Sequence, residues 1–157
     1  MANPFAGLKT AKVSGSGSYL SKDFDGVLQI DKVEYNERLN DGGAALIVEM
    51  TVLESNNSTD ANGKLTDPVG AKRSWFQKEN TSFPGAVLEW LYACLKCDFK
   101  QDEAKAETIR NNAETLMEGA LKGKFDGYKI RCRTTYKQTK VKKMDFTRHV
   151  WGPYIAA

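Results

Sequence analysis

From Lys129 to Lys137 every second residue is polar, and the first three of these, Lys129, Arg131 and Arg133, are cations. Successive side chains of a strand point to opposite faces, so a strand here stacks the three charges on one side at intervals of roughly 7 Å. Tyr128, Ile130, Cys132, Thr134 and Tyr136 then share the other side. A line of cations suits a polyanion, because each one neutralises a phosphate and releases a counter-ion. Aromatic faces interleaved with the charge add platforms for bases, the combination that holds single strands without sequence preference.

Other residues of the same two kinds extend the pattern. Tyr35 and Arg38 flank a turn signal, and Arg73, Trp75 and Lys78 fall together in a second alternating segment. Tyr136, Lys137, Lys140, Lys142, Lys143, Phe146, Arg148 and Trp151 continue the basic, aromatic stretch toward the C-terminus. Trp75, Phe76, Phe146 and Trp151 suit a core equally well. Lys129, Arg131 and Arg133 do not.

Charge is unevenly spread. Leu121 to Trp151 holds ten Lys or Arg against Asp126 and Asp145, a net +8, whereas residues 1–120 hold thirteen bases against eighteen acids, a net −5. A basic third on an acidic body predicts a localised polyanion site. Basic edge strands that merely resist aggregation are the alternative.

The inventory for catalysis is thin. His149 is the single histidine, and no nucleophile-elbow serine or phosphate-binding glycine loop is present. Gly15-Ser16-Gly17 precedes the first strand and reads as linker. Asp23, Asp25 and Asp31 raise the alternative of a metal-dependent nuclease. Cys94 and Cys97 form a CxxC pair in the last turn of an amphipathic helix, where the dipole does not favour a thiolate. A zinc site would have to gather Cys94, Cys97, Cys132 and His149 from a helix and two strands, so buried, reduced cysteines and no cofactor are expected. The N-terminus lacks the layout of a signal peptide and no apolar run is long enough to span a bilayer, which predicts a cytoplasmic protein.

These residues need elements to hold them. Residues 1–22, with the run Ser14-Gly15-Ser16-Gly17-Ser18, read as a flexible arm before a single domain over 23–155. A first strand runs from Phe24 to Tyr35, and its apolar phase slips by one residue between Ile30 and Val33, which predicts a β-bulge. Asn40-Asp41-Gly42-Gly43 marks a hairpin, followed by a strand from Ala44 to Leu53. A polar loop covers Ser55 to Gly63, and a third strand Ala71 to Lys78. Pro84, after Ser82 as N-cap, opens a helix with the stripe Val87, Leu88, Leu91, Tyr92 and Leu95. A second helix is expected from Asp102 to Ala120, closed by Lys122-Gly123. The fourth strand covers Tyr128 to Tyr136, a hairpin Lys137 to Lys140, and the fifth strand Val141 to Val150.

Three strands, two helices and two strands predict a mainly β, α+β domain, a five-stranded barrel of the OB type with the helices between strands three and four. Several segments carry a resemblance: Asn3-Pro4-Phe5 with Lys9 to Lys12, Gly26 to Val33, Val48 to Glu54, Val69 to Phe76, and Leu121 to Lys124. In order and pattern the chain resembles the phage-encoded single-stranded-DNA-binding proteins of OB fold. That resemblance implies a protein without cofactor or catalytic role that coats single-stranded DNA in replication or recombination. It further implies replication or recombination proteins as partners and allows self-association. Bacterial proteins of this role usually end in an acidic tail, whereas this chain ends Trp151 to Ala157, neutral and aromatic. A phage structural or adaptor protein that binds protein subunits is the alternative function.

Overall fold

The computed structural model describes residues 19–21, 23–37, 43–138 and 145–154, with backbone alone at 136–138 and 145–147. Five strands and three helices follow the order β1 (Asp25–Asn36), β2 (Ala45–Ser55), β3 (Lys72–Lys78), α1 (Phe83–Cys94), α2 (Glu103–Asn111), α3 (Ala113–Leu121), β4 (Lys129–Gln138), β5 (Asp145–Pro153). The strands form one antiparallel sheet in the order β3-β2-β1-β4-β5. It is an open sheet with β3 and β5 at its edges. No helix among the described residues is long and apolar enough to cross a membrane.

The central strand explains the curvature. β1 pairs with β2 along its length but slips register between Ile30 and Lys32, where the apolar phase predicted a bulge, and again between Val27 and Leu28. Each bulge bends the strand and increases its twist. The first bulge lets Leu28, Ile30 and Val33 face the same interior as Val52, Met50 and Val48 of β2. Gly26 sits where β2 approaches most closely. A Cβ there would overlap the carbonyl oxygen of Glu54 and crowd the Phe24 ring, so only glycine fits.

Trp75 of β3 and Ile130, Cys132 and Trp151 of β4 and β5 complete the inner face. Helix α1 lies against β5, β3 and β4. Its second half, Trp90 to Cys94, is buried on all sides. The expected stripe is therefore incomplete: Trp90, off that stripe, is fully buried and packs 6.1 Å from Trp75.

The helical segment differs from expectation in one respect. Instead of one helix over residues 102–120, two meet at Asn112, which leaves helical geometry at φ −109° and ψ 13°. The Asn112 side chain donates to the Thr108 carbonyl at 2.7 Å, satisfying an acceptor at the end of α2. Short amides that bond the backbone locally favour helix ends over helix interiors. At the end of α3, Gly123 adopts φ 94° and supports a Schellman closure, Lys124 N–H to Gly119 C=O at 3.0 Å and Gly123 N–H to Ala120 C=O at 3.1 Å, as Lys122-Gly123 suggested.

Residues 20 and 21, next to the expected arm boundary, pack against the domain together with Phe24. Leu20 and Phe24 are buried. Thr134 Oγ1 accepts from Phe24 N–H at 2.8 Å and donates to the Ser21 carbonyl at 2.5 Å. Asp67 accepts from Ser21 N–H at 3.1 Å and from its hydroxyl at 2.5 Å. Residues 1–18, 22, 38–42, 139–144 and 155–157 lie outside the described residues, and with them most of the expected arm and parts of the expected turn at 40–43 and hairpin at 137–140. The fifth strand begins at Asp145 in the described part and extends through Trp151 to Pro153, three residues beyond its expected end.

Candidate nucleic-acid interface

β4 alternates as its sequence demands. Ile130, Cys132 and Thr134 are buried, and Lys129, Arg131 and Arg133 are exposed on the opposite face. Cross-strand register gives the row its neighbours: Gln29 beside Lys129, Val27 and Gly152 flanking Arg131, and Asp25 and Val150 flanking Arg133. Gly152 sets no side chain beside Arg131, and a Cβ there would come into ordinary contact with the Arg131 Cβ, at 3.9 Å. Among the described residues no ion pair or side-chain hydrogen bond engages Arg131 or Arg133. Lys129 makes one ring contact, its Nζ lying 5.9 Å from the centroid of Tyr154. One carboxylate intrudes: Asp25, exposed, stands directly across from Arg133.

Several other candidates are elsewhere. Arg73 is not a surface cation. Its Nε donates to Asp67 Oδ1 at 2.8 Å and its other nitrogens to the carbonyls of Lys72 and Thr66, leaving the side chain 12% exposed. The cause is its register opposite Met50, which turns it to the inner face, where it must find a counter-charge. Trp75 and Trp151 are buried at 3% and 7% exposure, so neither offers a face to a base. Both rings pack in the gap between the sheet edges, with centroids 5.0 Å apart. Tyr35 and Lys78 lie at the far end of the β1–β2–β3 part, ten residues along β1 from Asp25, on the order of 30 Å in an extended strand. The Tyr35 hydroxyl donates to Glu79 at 2.6 Å, which with that carboxylate's charge raises its pKa. Arg148, opposite Thr135, is exposed at the free edge of β5 and borders clefts it shares with Glu89 of α1.

Tyr136, Lys137 and Phe146 hold ladder positions, Tyr136 opposite Thr147 and Lys137 opposite Phe146, and their side chains lie outside the described residues. So do Arg38, Lys140, Lys142 and Lys143.

Two further aromatics border the row. Tyr128 precedes the first residue of β4, so strand alternation, which assigned it inward, does not govern it. Its ring is 39% exposed and stacks on Phe125 at 5.0 Å and 15°. Tyr154 follows β5 at the same end of the sheet, across a groove it shares with Tyr128 and Lys129.

Among the described residues no three His, Cys, Asp or Glu side chains converge to hold a metal ion. Asp31 instead accepts from Thr51 Oγ1 at 2.5 Å and from Lys72 Nζ at 3.4 Å. Cys94, Cys97 and Cys132 are free and buried, and burial pushes the thiols of Cys94 and Cys132 well up. His149 stacks on Trp151 at 5.3 Å, and desolvation lowers its pKa to about 4. Compared with known proteins, the chain matches no family model and no curated sequence.

Proposed function

We propose that the chain is a single-stranded-DNA-binding protein, a binder and not an enzyme, that lays a phosphodiester backbone along the exposed face of β4. The observation that carries this reading is the row Lys129, Arg131 and Arg133, presented at alternate positions on one face, with no ion pair on Arg131 or Arg133 among the described residues. Charges at such intervals suit successive phosphates of an extended strand, whereas a bundle of charges would not.

An OB-type barrel is part of the proposal. The strand order β3-β2-β1-β4-β5, the helices between β3 and β4, and the ring contact of Trp75 and Trp151 across the two edge strands support it. The phage-encoded family that the sequence resembles supplies the proposed setting, replication or recombination in a host cytoplasm.

The test is the affinity of the full chain for fluorescein-labelled oligo-dT at two salt concentrations. Neutralising three phosphates of a single strand makes affinity fall roughly tenfold or more between about 50 and about 200 mM salt. Absence of binding, or equal affinity for a duplex of the same length, overturns the proposal. A protein adaptor gives the first of these results.

A further inference from the structure

A groove of about 570 Å³ opens where the cation row begins. The end of α1 supplies Cys94, Leu95 and Lys96, the entry to β4 supplies Gly127, Tyr128 and Lys129, and Tyr154 follows β5. None of these residues is acidic, and two are lysines. The volume lies within the range of small-ligand clefts.

Two features show that the groove is set in advance. Phe125, itself buried, backs the Tyr128 ring at 5.0 Å and nearly parallel, fixing an aromatic plane whose exposed part borders the groove. Lys96 is one of only two non-glycine residues with positive φ among the described residues, at 58°. It occupies the left-handed position of a Schellman closure, with Cys97 N–H bonded to Tyr92 C=O at 2.9 Å and Lys96 N–H to Ala93 C=O at 3.2 Å. That position ordinarily belongs to glycine, so a lysine there carries a conformational cost that helix closure alone does not explain.

We infer that this groove seats one nucleotide of the bound strand, with its base against Tyr128 and its phosphate at Lys96 and Lys129. The inference rests on the single-strand reading above and adds a base site to a backbone track. Aromatic planes are sequence-tolerant partners because every base has a π-face. Lys129 belongs both to the groove and to the row, so a strand leaving the groove continues toward Arg131 and Arg133 without a gap in charge.

The experiment compares the full-length protein with Tyr128→Leu, Tyr128→Phe and Lys96→Gly by anisotropy on labelled oligo-dT, with a strand of abasic sugar-phosphate units of equal length as second probe. Tyr128→Leu lowers oligo-dT affinity about fivefold or more without changing the salt slope, and Tyr128→Phe retains affinity. The abasic strand binds wild type and Tyr128→Leu alike. Lys96→Gly reduces both affinity and salt slope, while its melting temperature stays level or rises because glycine suits φ 58°. Salt-dependent oligo-dT binding that ignores both Tyr128→Leu and Lys96→Gly overturns the groove and leaves the β4 row standing. No oligo-dT binding by wild type overturns both. Free thymidine monophosphate competing as well as oligo-dT makes this a mononucleotide pocket and overturns the strand assignment.

Discussion

The indole rings of Trp75 and Trp151 meet edge to face with centroids 5.0 Å apart, although they stand on the two outermost strands of the sheet. Trp90 of α1 joins them at 6.1 Å from Trp75, so all three tryptophans of the chain lie in one buried cluster. Side chains therefore bridge the edges that backbone hydrogen bonds leave open. Indole emission accordingly reports on this seam and on unfolding, not on bases.

Replacing either edge tryptophan opens that seam. Trp75→Ala or Trp151→Ala costs about 3–5 kcal/mol, as large-to-small changes in packed cores do. Urea unfolding followed by far-UV circular dichroism measures it. A loss below about 1 kcal/mol would mean that the two rings contribute little to holding β3 near β5.

Arg131→Ala with Arg133→Ala does the reverse. Affinity for oligo-dT falls, the salt slope drops by about 1.4 because each single-strand phosphate contact contributes about 0.7, and stability changes by about 0.5 kcal/mol or less. Asp25→Asn removes the acid across from Arg133 and raises affinity by about twofold at low salt. Binding titrations at four salt concentrations, paired with thermal melts, separate these effects.

Arg73 behaves unlike its neighbours in composition. Arg73→Met leaves the Asp67 carboxylate, 1% exposed, without its counter-charge, and costs about 3–5 kcal/mol. Oligo-dT affinity of the folded fraction is unchanged. Denaturant midpoints for Arg73→Met and the double variant Arg73→Met/Asp67→Leu decide the matter, because the double variant recovers part of the loss.

His149 makes stability depend on pH. Burial holds its pKa near 4 in the folded chain, against an ordinary 6.5, and its Nε2 has no hydrogen-bond partner among the described residues. Arg148, Lys78 and Glu89 border the same cleft. The unfolded chain takes up the proton first as pH falls, so stability is full above about 6.5, declines toward pH 4 and then levels. The decline amounts to about 3 kcal/mol. Urea midpoints at pH 7.5 and 4.5 measure it, and His149→Phe abolishes this part of the pH dependence.

The local features of the fold were legible wherever one residue's chemistry decides the backbone. The slip between Ile30 and Val33 announced a bulge, Lys122-Gly123 a helix end, and the alternation from Lys129 to Thr134 an exposed cationic face. What was not legible depends on partners distant in sequence. Nothing in Arg73-Ser74-Trp75 reveals that Arg73 will meet Asp67 or that Trp75 will meet Trp151, because the first contact depends on how the β2–β3 connection folds back and the second on the placement of β5. The break at Asn112 was hidden for the opposite reason. The apolar spacing runs through it unbroken, while the backbone leaves helical geometry at Asn112, whose side chain bonds back to Thr108.

The polar connection between β2 and β3 has the composition of a dispensable ornament, yet two of its residues make it indispensable. Thr66 and Asp67 fasten Ser21 on one side and Arg73 on the other. A chain shortened to a tight hairpin at this point would strand a guanidinium inside the sheet and untie the leading segment from Thr66 and Asp67. Any relative that dispenses with the connection must therefore also have exchanged Arg73 for an apolar residue and found another mooring for residues 19–21.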